Sequence, residues 1–150
     1  MGEMTAPQAL AALEQFIGKW SMTMGFAPNP TDAPPAFVTF EWLRGRLFLI
    51  QRWEVDHPDA PDGIAIIGLD PSKDGYVQHY FDSRGVARLY EMTVVGKVWT
   101  LERIAAEPDF SQRFTGRFSK DGNTIDGHWE HSSDGSVWSH DFELTYTRAA

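Results

Sequence analysis

The sequence predicts an all-β fold: an antiparallel up-and-down β-barrel of about ten strands, with a short N-terminal helix covering its closed end. Two observations carry this expectation. Beyond residue 17 the chain is a succession of short β-rich runs, at 18–26, 36–44, 46–55, 63–70, 76–82, 86–95, 97–104, 112–119, 123–131 and 137–148. Tight turns at Arg44-Gly45, Asp70 to Gly75, Gly96 and Asp121-Gly122 alternate with mostly longer connections, and in a meander alternate connections lie at opposite ends. An even strand count brings the last strand beside the first, so the sheet can close and lose its edges.

The elements follow in order. Residues 7–17, PQALAALEQFI, read as the helix: Pro7 suits a first turn, Leu10, Leu13, Phe16 and Ile17 share a face, and Gly18 ends it. Such a helix needs an apolar surface, which the tight-turn end of a barrel offers. With Arg44-Gly45 at a hairpin tip, Trp42 pairs with Leu47, Phe40 with Leu49 and Val38 with Gln51, which turns Gln51 and Trp53 inward. Strand 76–82 offers two inward sets, Val77, His79 and Phe81 or Tyr76, Gln78 and Tyr80, and the apolar companions of His79 favour the first. The 86–104 hairpin sets Arg88, Tyr90 and Met92 with Trp99, Leu101 and Arg103. Asp121-Gly122, a strong two-residue turn, pairs Phe118 with Ile125, Phe114 with Trp129 and Gln112 with His131. Asp134-Gly135 at the next tip then pairs His131 with Trp138 and Trp129 with His140. In the last strand, large residues alternate with small or polar ones, placing Trp138, His140, Phe142, Leu144, Tyr146 and Arg148 on the inner face.

The proline-rich connections 27–35, 56–62 and 105–110 fall at the end away from the helix, with the turns at 83–85 and 132–136, an arrangement suited to a portal. The interior is graded. Trp20, Trp42, Leu47, Phe118, Ile125, Leu144 and Tyr146 fill the closed end, while Gln51, Arg88, Arg103, Gln112, His131 and His140 lie toward the middle or mouth. The expected ligand-binding residues are Gln51, Trp53, His79, Arg88, Tyr90, Arg103, Gln112, Trp129, His131, Trp138 and His140. Few inward acids accompany Arg88 and Arg103, which favours an anionic ligand to offset their desolvation.

Composition narrows the partners. The 150 residues fit one domain, 1–150, with the helix at 7–17 and the barrel at 18–148. A net charge of -8 argues against nucleic acid and anionic membrane, since both require a basic face. There is no cysteine, so disulfides, thiolate metal sites and cysteine nucleophiles are excluded. The start, MGEMTAPQAL, lacks the basic and apolar regions of a secretory signal, and a cytoplasmic location is expected. Six Trp, ten Phe and four Tyr are enough to line a cavity as well as fill a core.

Gly18-Lys19-Trp20 after a short helix, with Arg148 ending the last strand, resembles the calycin pattern of lipocalins and fatty-acid-binding proteins. The stretch HYFDSRGVARLYEM is similar to bacterial lipocalin-like domains of unknown function. The resemblance spans nearly the whole chain. It implies a ten-stranded barrel holding a small molecule, with the arginine packed over the tryptophan, although a shared fold does not choose the ligand. The first long connection, about nine residues and proline-rich, departs from the helical pair that fatty-acid-binding proteins insert there. A second comparison is nitrobindin, a haem-binding barrel with a histidine near its C-terminus, and His140 alone carries it.

No nucleophile elbow, phosphate loop or zinc motif is present. The first functional expectation is therefore a lipocalin-like protein binding a small aromatic or amphipathic, anionic ligand. The alternatives are a cofactor-independent isomerase or cyclase, with His79 or His140 as base and Arg88 or Arg103 stabilising an anion, and haem binding through His140 or His131. Interaction or homodimerisation through the barrel is a further alternative. His128, Glu130 and Asp141 could cluster outside, but His128 and His131 point to opposite faces of a strand, so no metal site is expected. His57 falls in a solvated Pro/Asp loop.

Overall fold

Thr5 accepts a hydrogen bond from the Gln8 amide while the Gln8 side chain accepts one from the Thr5 amide, a reciprocal cap that starts helix α1, Ala6–Ala12. The helical segment then tightens into a 3-10 turn over Leu13–Phe16, one residue short of the expected end. Residues 5–24, 36–55, 61–71, 75–103 and 110–149 are described by this computed structural model.

Ten strands follow: β1 (Gly18–Met24), β2 (Ala36–Trp42), β3 (Leu49–Val55), β4 (Gly63–Leu69), β5 (Tyr76–Asp82), β6 (Ala87–Val95), β7 (Val98–Arg103), β8 (Ser111–Phe118), β9 (Thr124–Ser132) and β10 (Ser139–Arg148). Each pairs antiparallel with its sequence neighbours, and β1 also pairs with β10, which closes the barrel. No helix among the described residues is long and apolar enough to cross a membrane.

Two register details decide what faces inward. The β2–β3 turn is longer than expected, so Trp42 pairs with Leu49, Phe40 with Gln51 and Val38 with Trp53. A shift by two residues preserves the alternation, and Gln51 and Trp53 remain inside. Leu47, expected in the core, lies in the turn instead and is 59% exposed. In β10 the pairing slips between His140 and Phe142, so the chain carries a bulge around Asp141. Phe142 pairs with Trp129 and His140 with Glu130. The alternation that puts Phe142, Leu144 and Tyr146 inside is thereby broken before His140.

The helical segment seals one end. Leu13 and Phe16 are fully buried, and the Phe16 ring lies 5.1 Å from Phe40, 5.0 Å from Trp99 and 5.1 Å from Phe118. The Tyr76 hydroxyl donates to the Ala9 carbonyl at 2.6 Å, and Gln15 donates to the Gly96 carbonyl at 3.3 Å. Trp20 is fully buried and donates to the Phe16 carbonyl at 2.9 Å. Arg148 donates to the carbonyls of Ile17 at 2.7 Å and Gln15 at 3.0 Å, satisfying the end of the helical segment.

Candidate functional site

Above this plug the inner side chains leave a cavity of about 630 Å3, within the range of small-molecule sites. Trp99, Phe114, Leu144 and Tyr146 line its deeper part, while Val55, Pro61 and Phe110 line it beside connections 56–60 and 104–109. The expected portal loops lie outside the described residues, except for 61, 62 and 110. Glycines make room for the large rings. A Cβ on Gly127 would sit 2.5 Å from the Phe114 ring, and one on Gly63 would sit 2.0 Å from the Trp53 indole. Trp53 in turn stacks on Tyr80, with ring centres 5.3 Å apart.

A polar belt crosses the cavity. Gln51, Gln78 and Gln112 enter it from β3, β5 and β8. The Tyr90 hydroxyl donates to Gln112 Oε1 at 2.8 Å, and Arg88 donates to the same oxygen at 3.4 Å. Burial holds the Tyr146 phenol above the ordinary tyrosine range, an effect partly offset by a hydrogen bond with Gln51. Two buried atoms of the cavity lining, Gln78 Oε1 and Trp99 Nε1, have no hydrogen-bond partner among the described residues.

The charged residues among the described lining are both arginines. Arg84 and Arg88 line the cavity, and no carboxylate among the described residues does. Arg84 is already paired: it donates to Asp82 Oδ2 at 2.7 Å, and the Tyr80 hydroxyl donates to the same oxygen at 2.6 Å. The Arg84 hydrogen bond holds the Asp82 carboxyl well below the usual range, outweighing the opposing effect of burial. Burial, reinforced by Asp82, pushes the Tyr80 phenol upward. Arg88 has no carboxylate partner among the described residues, and its guanidinium lies 5.3 Å from the centre of the Phe110 ring.

Of the residues expected from sequence, Gln51, Trp53, Arg88, Tyr90, Gln112 and Trp129 line this cavity together. Five do not. His79 is exposed beside Leu89 on the outer face, because Tyr76, Gln78 and Tyr80 take the inner one. Arg103 is half-buried, donates to the Phe110 carbonyl at 2.8 Å and lies 5.4 Å from that ring, outside the cavity lining. Ahead of the β10 bulge, His140 is exposed and its ring faces His128 at 6.3 Å, while Trp138 lies under Arg113 at 4.3 Å. His131 is exposed at the strand end, 4.0 Å from Asp141. Haem held through His140 or His131 therefore does not fit: neither imidazole reaches the cavity, and no described histidine lines it. No group of three or more His, Cys, Asp or Glu side chains among the described residues is arranged to hold a metal.

Sequence reasoning left Gln78 and Tyr80 as the less favoured set and omitted Arg84 and Phe110. A usable signal existed for the first pair. The three-residue turn at 83–85, with Gly85 at φ 87°, pairs Tyr80 with Arg88 and Gln78 with Tyr90. Arg88 and Tyr90 inside thus require Tyr80 and Gln78 inside. Apolarity favoured His79 only because this interior is partly polar.

Fold and site together define a closed ten-stranded β-barrel with an aromatic cavity whose described lining includes Arg84 and Arg88. The chain belongs to the DUF1579 family of proteins of unknown function, whose pattern matches residues 6–148. It is similar in fold to the crystal structure of Rv2717c from M. tuberculosis, at 17% identity and a TM-score of 0.64 over 95% of this chain and 98% of that one. No curated protein matches the chain.

Proposed function

We propose that this barrel binds a small aromatic or amphipathic molecule whose acidic group meets Arg88. The observation that carries the reading is an aromatic cavity of about 630 Å3 lined by a guanidinium, Arg88, whose hydrogen-bond partner among the described residues is a neutral amide, Gln112. A desolvated cation gains most from an anionic acceptor, and no carboxylate among the described lining residues supplies one. Arg148 over Trp20 supports a calycin-type barrel of the lipocalin kind. Binding is favoured over isomerase or cyclase chemistry because His79 and His140, the bases on which that reading depended, are exposed outside the cavity. Tyr80 and Tyr146, two phenols of the cavity lining, are pushed upward by burial and so hold their protons.

Calorimetric titration of naphthoic acid and naphthamide tests the reading. The wild type should prefer the acid, and Arg88→Met should remove that preference. Equal affinities in the wild type, or an acid preference unchanged in Arg88→Met, would refute it.

A further inference from the structure

Gln78 is 3% exposed and lines the cavity, yet its Oε1 has no hydrogen-bond partner among the described residues. Folding tolerates such an atom poorly, because the hydrogen bond to water lost on burial is not replaced. Its neighbours across the ladder do not help. Ile67 is apolar, and the Tyr90 hydroxyl directs its proton to Gln112. A second unpartnered atom of the cavity lining, Trp99 Nε1, belongs to an indole with Phe16, Phe114 and Tyr146 at 5.0, 4.8 and 6.0 Å, and aromatic faces offer a weak acceptor to an N–H group. A carbonyl oxygen has no such substitute and requires a donor.

Arg88 pairs with Tyr80, two residues along β5 from Gln78, a step of roughly 7 Å. The rings of Tyr80, Tyr90 and Trp129 form a chain of edge contacts along the wall, at 6.2 and 5.8 Å. We infer that the ligand is a hydroxyaromatic acid: its carboxylate meets Arg88, its ring lies against this aromatic wall, and its hydroxyl donates to Gln78 Oε1. This rests on the anionic-ligand reading above and adds the second polar group.

The test compares three probes by calorimetry: a hydroxynaphthoic acid with its groups on opposite rings, naphthoic acid, and the corresponding hydroxynaphthamide. The wild type should bind the hydroxy acid roughly five- to tenfold more tightly than naphthoic acid. Gln78→Met should erase this difference while retaining the preference for acid over amide. Equal binding of the two acids by the wild type, or a hydroxyl preference that survives in Gln78→Met, overturns the inference and leaves the anion reading standing. A hydroxyl preference without an acid preference overturns the anion reading instead. Failure of all three to bind overturns both. Should Gln78→Met not fold, the wild-type Gln78 side-chain amide resonances decide: they should move with hydroxynaphthoic acid more than with naphthoic acid, and equal movement overturns the inference.

Discussion

The Arg148 guanidinium lies 4.1 Å from the centre of the Trp20 ring, joining the last residue of β10 to the first strand directly over the end of the helical segment. The contact combines a cation–π attraction with hydrogen bonds to three carbonyls, those of Gln15, Ile17 and Gly122. Gly18 is part of the same fit, for a Cβ there would lie 2.9 Å from Arg148 Nη1.

Trp20→Ala should therefore lower stability by about 3–5 kcal/mol, the usual cost of emptying a fully buried aromatic site. Urea unfolding measures it. A loss under about 1 kcal/mol would mean that the plug does not depend on the indole.

Gly63→Ala should cost about 1–3 kcal/mol through overpacking. The added carbon would meet the Trp53 indole at 2.0 Å and the Phe81 carbonyl at 2.8 Å, so the indole must leave its stack on Tyr80. Near-ultraviolet circular dichroism should change along with the thermal midpoint, and an unchanged spectrum would contradict the placement of Trp53.

Acid should destabilise the mouth through Asp82. Its folded-state pKa is depressed, chiefly by the Arg84 hydrogen bond, so its contribution is present above the unfolded carboxylate value near 3.9 and fades as pH falls below it. Asp82→Asn should flatten the fall in stability between about pH 5 and pH 2. Parallel pH profiles for the two proteins would show that Asp82 is not a principal acid-sensitive group.

Arg88→Met should weaken the binding of naphthoic acid by about tenfold, equivalent to about 1.4 kcal/mol, and leave naphthamide nearly unaffected. Added salt should reduce the wild-type preference for the acid and have little effect on the variant. Equal salt sensitivity would point to a cation other than Arg88.

Ten strands, their order and the helix were legible because turns and alternation are local signals. Asp121-Gly122 fixed the β8–β9 register, and its three expected pairs, Phe118–Ile125, Phe114–Trp129 and Gln112–His131, are all present. The β2–β3 turn was misread by two residues, which cost Leu47 its core place but left Gln51 and Trp53 inward, since a strand repeats every two. The bulge at Asp141 was costlier. A single extra residue leaves no mark in an alternating pattern, yet it places His140 and Trp138 outside. The same blindness applies to the belt: a polar residue facing a cavity and one facing water look alike in sequence, as His79 and Gln78 demonstrate.

The stopper formed by Phe16, Trp20 and Phe118 has a kinetic meaning. With the helix end stoppered, the proposed ligand would have to enter and leave from the opposite end, the neck, so an occupant would have to depart before a competitor took its place. For the proposed ligand, entry order would fix orientation: the hydroxylated ring would descend first and the carboxylate would remain uppermost at Arg88. Arg84 and Arg88, near the neck, would govern residence time, whereas Trp99 and Phe114 at the base would govern which shapes fit. Substituting Arg84 should change how long a guest stays, whereas Arg88→Met should also remove the preference for acids.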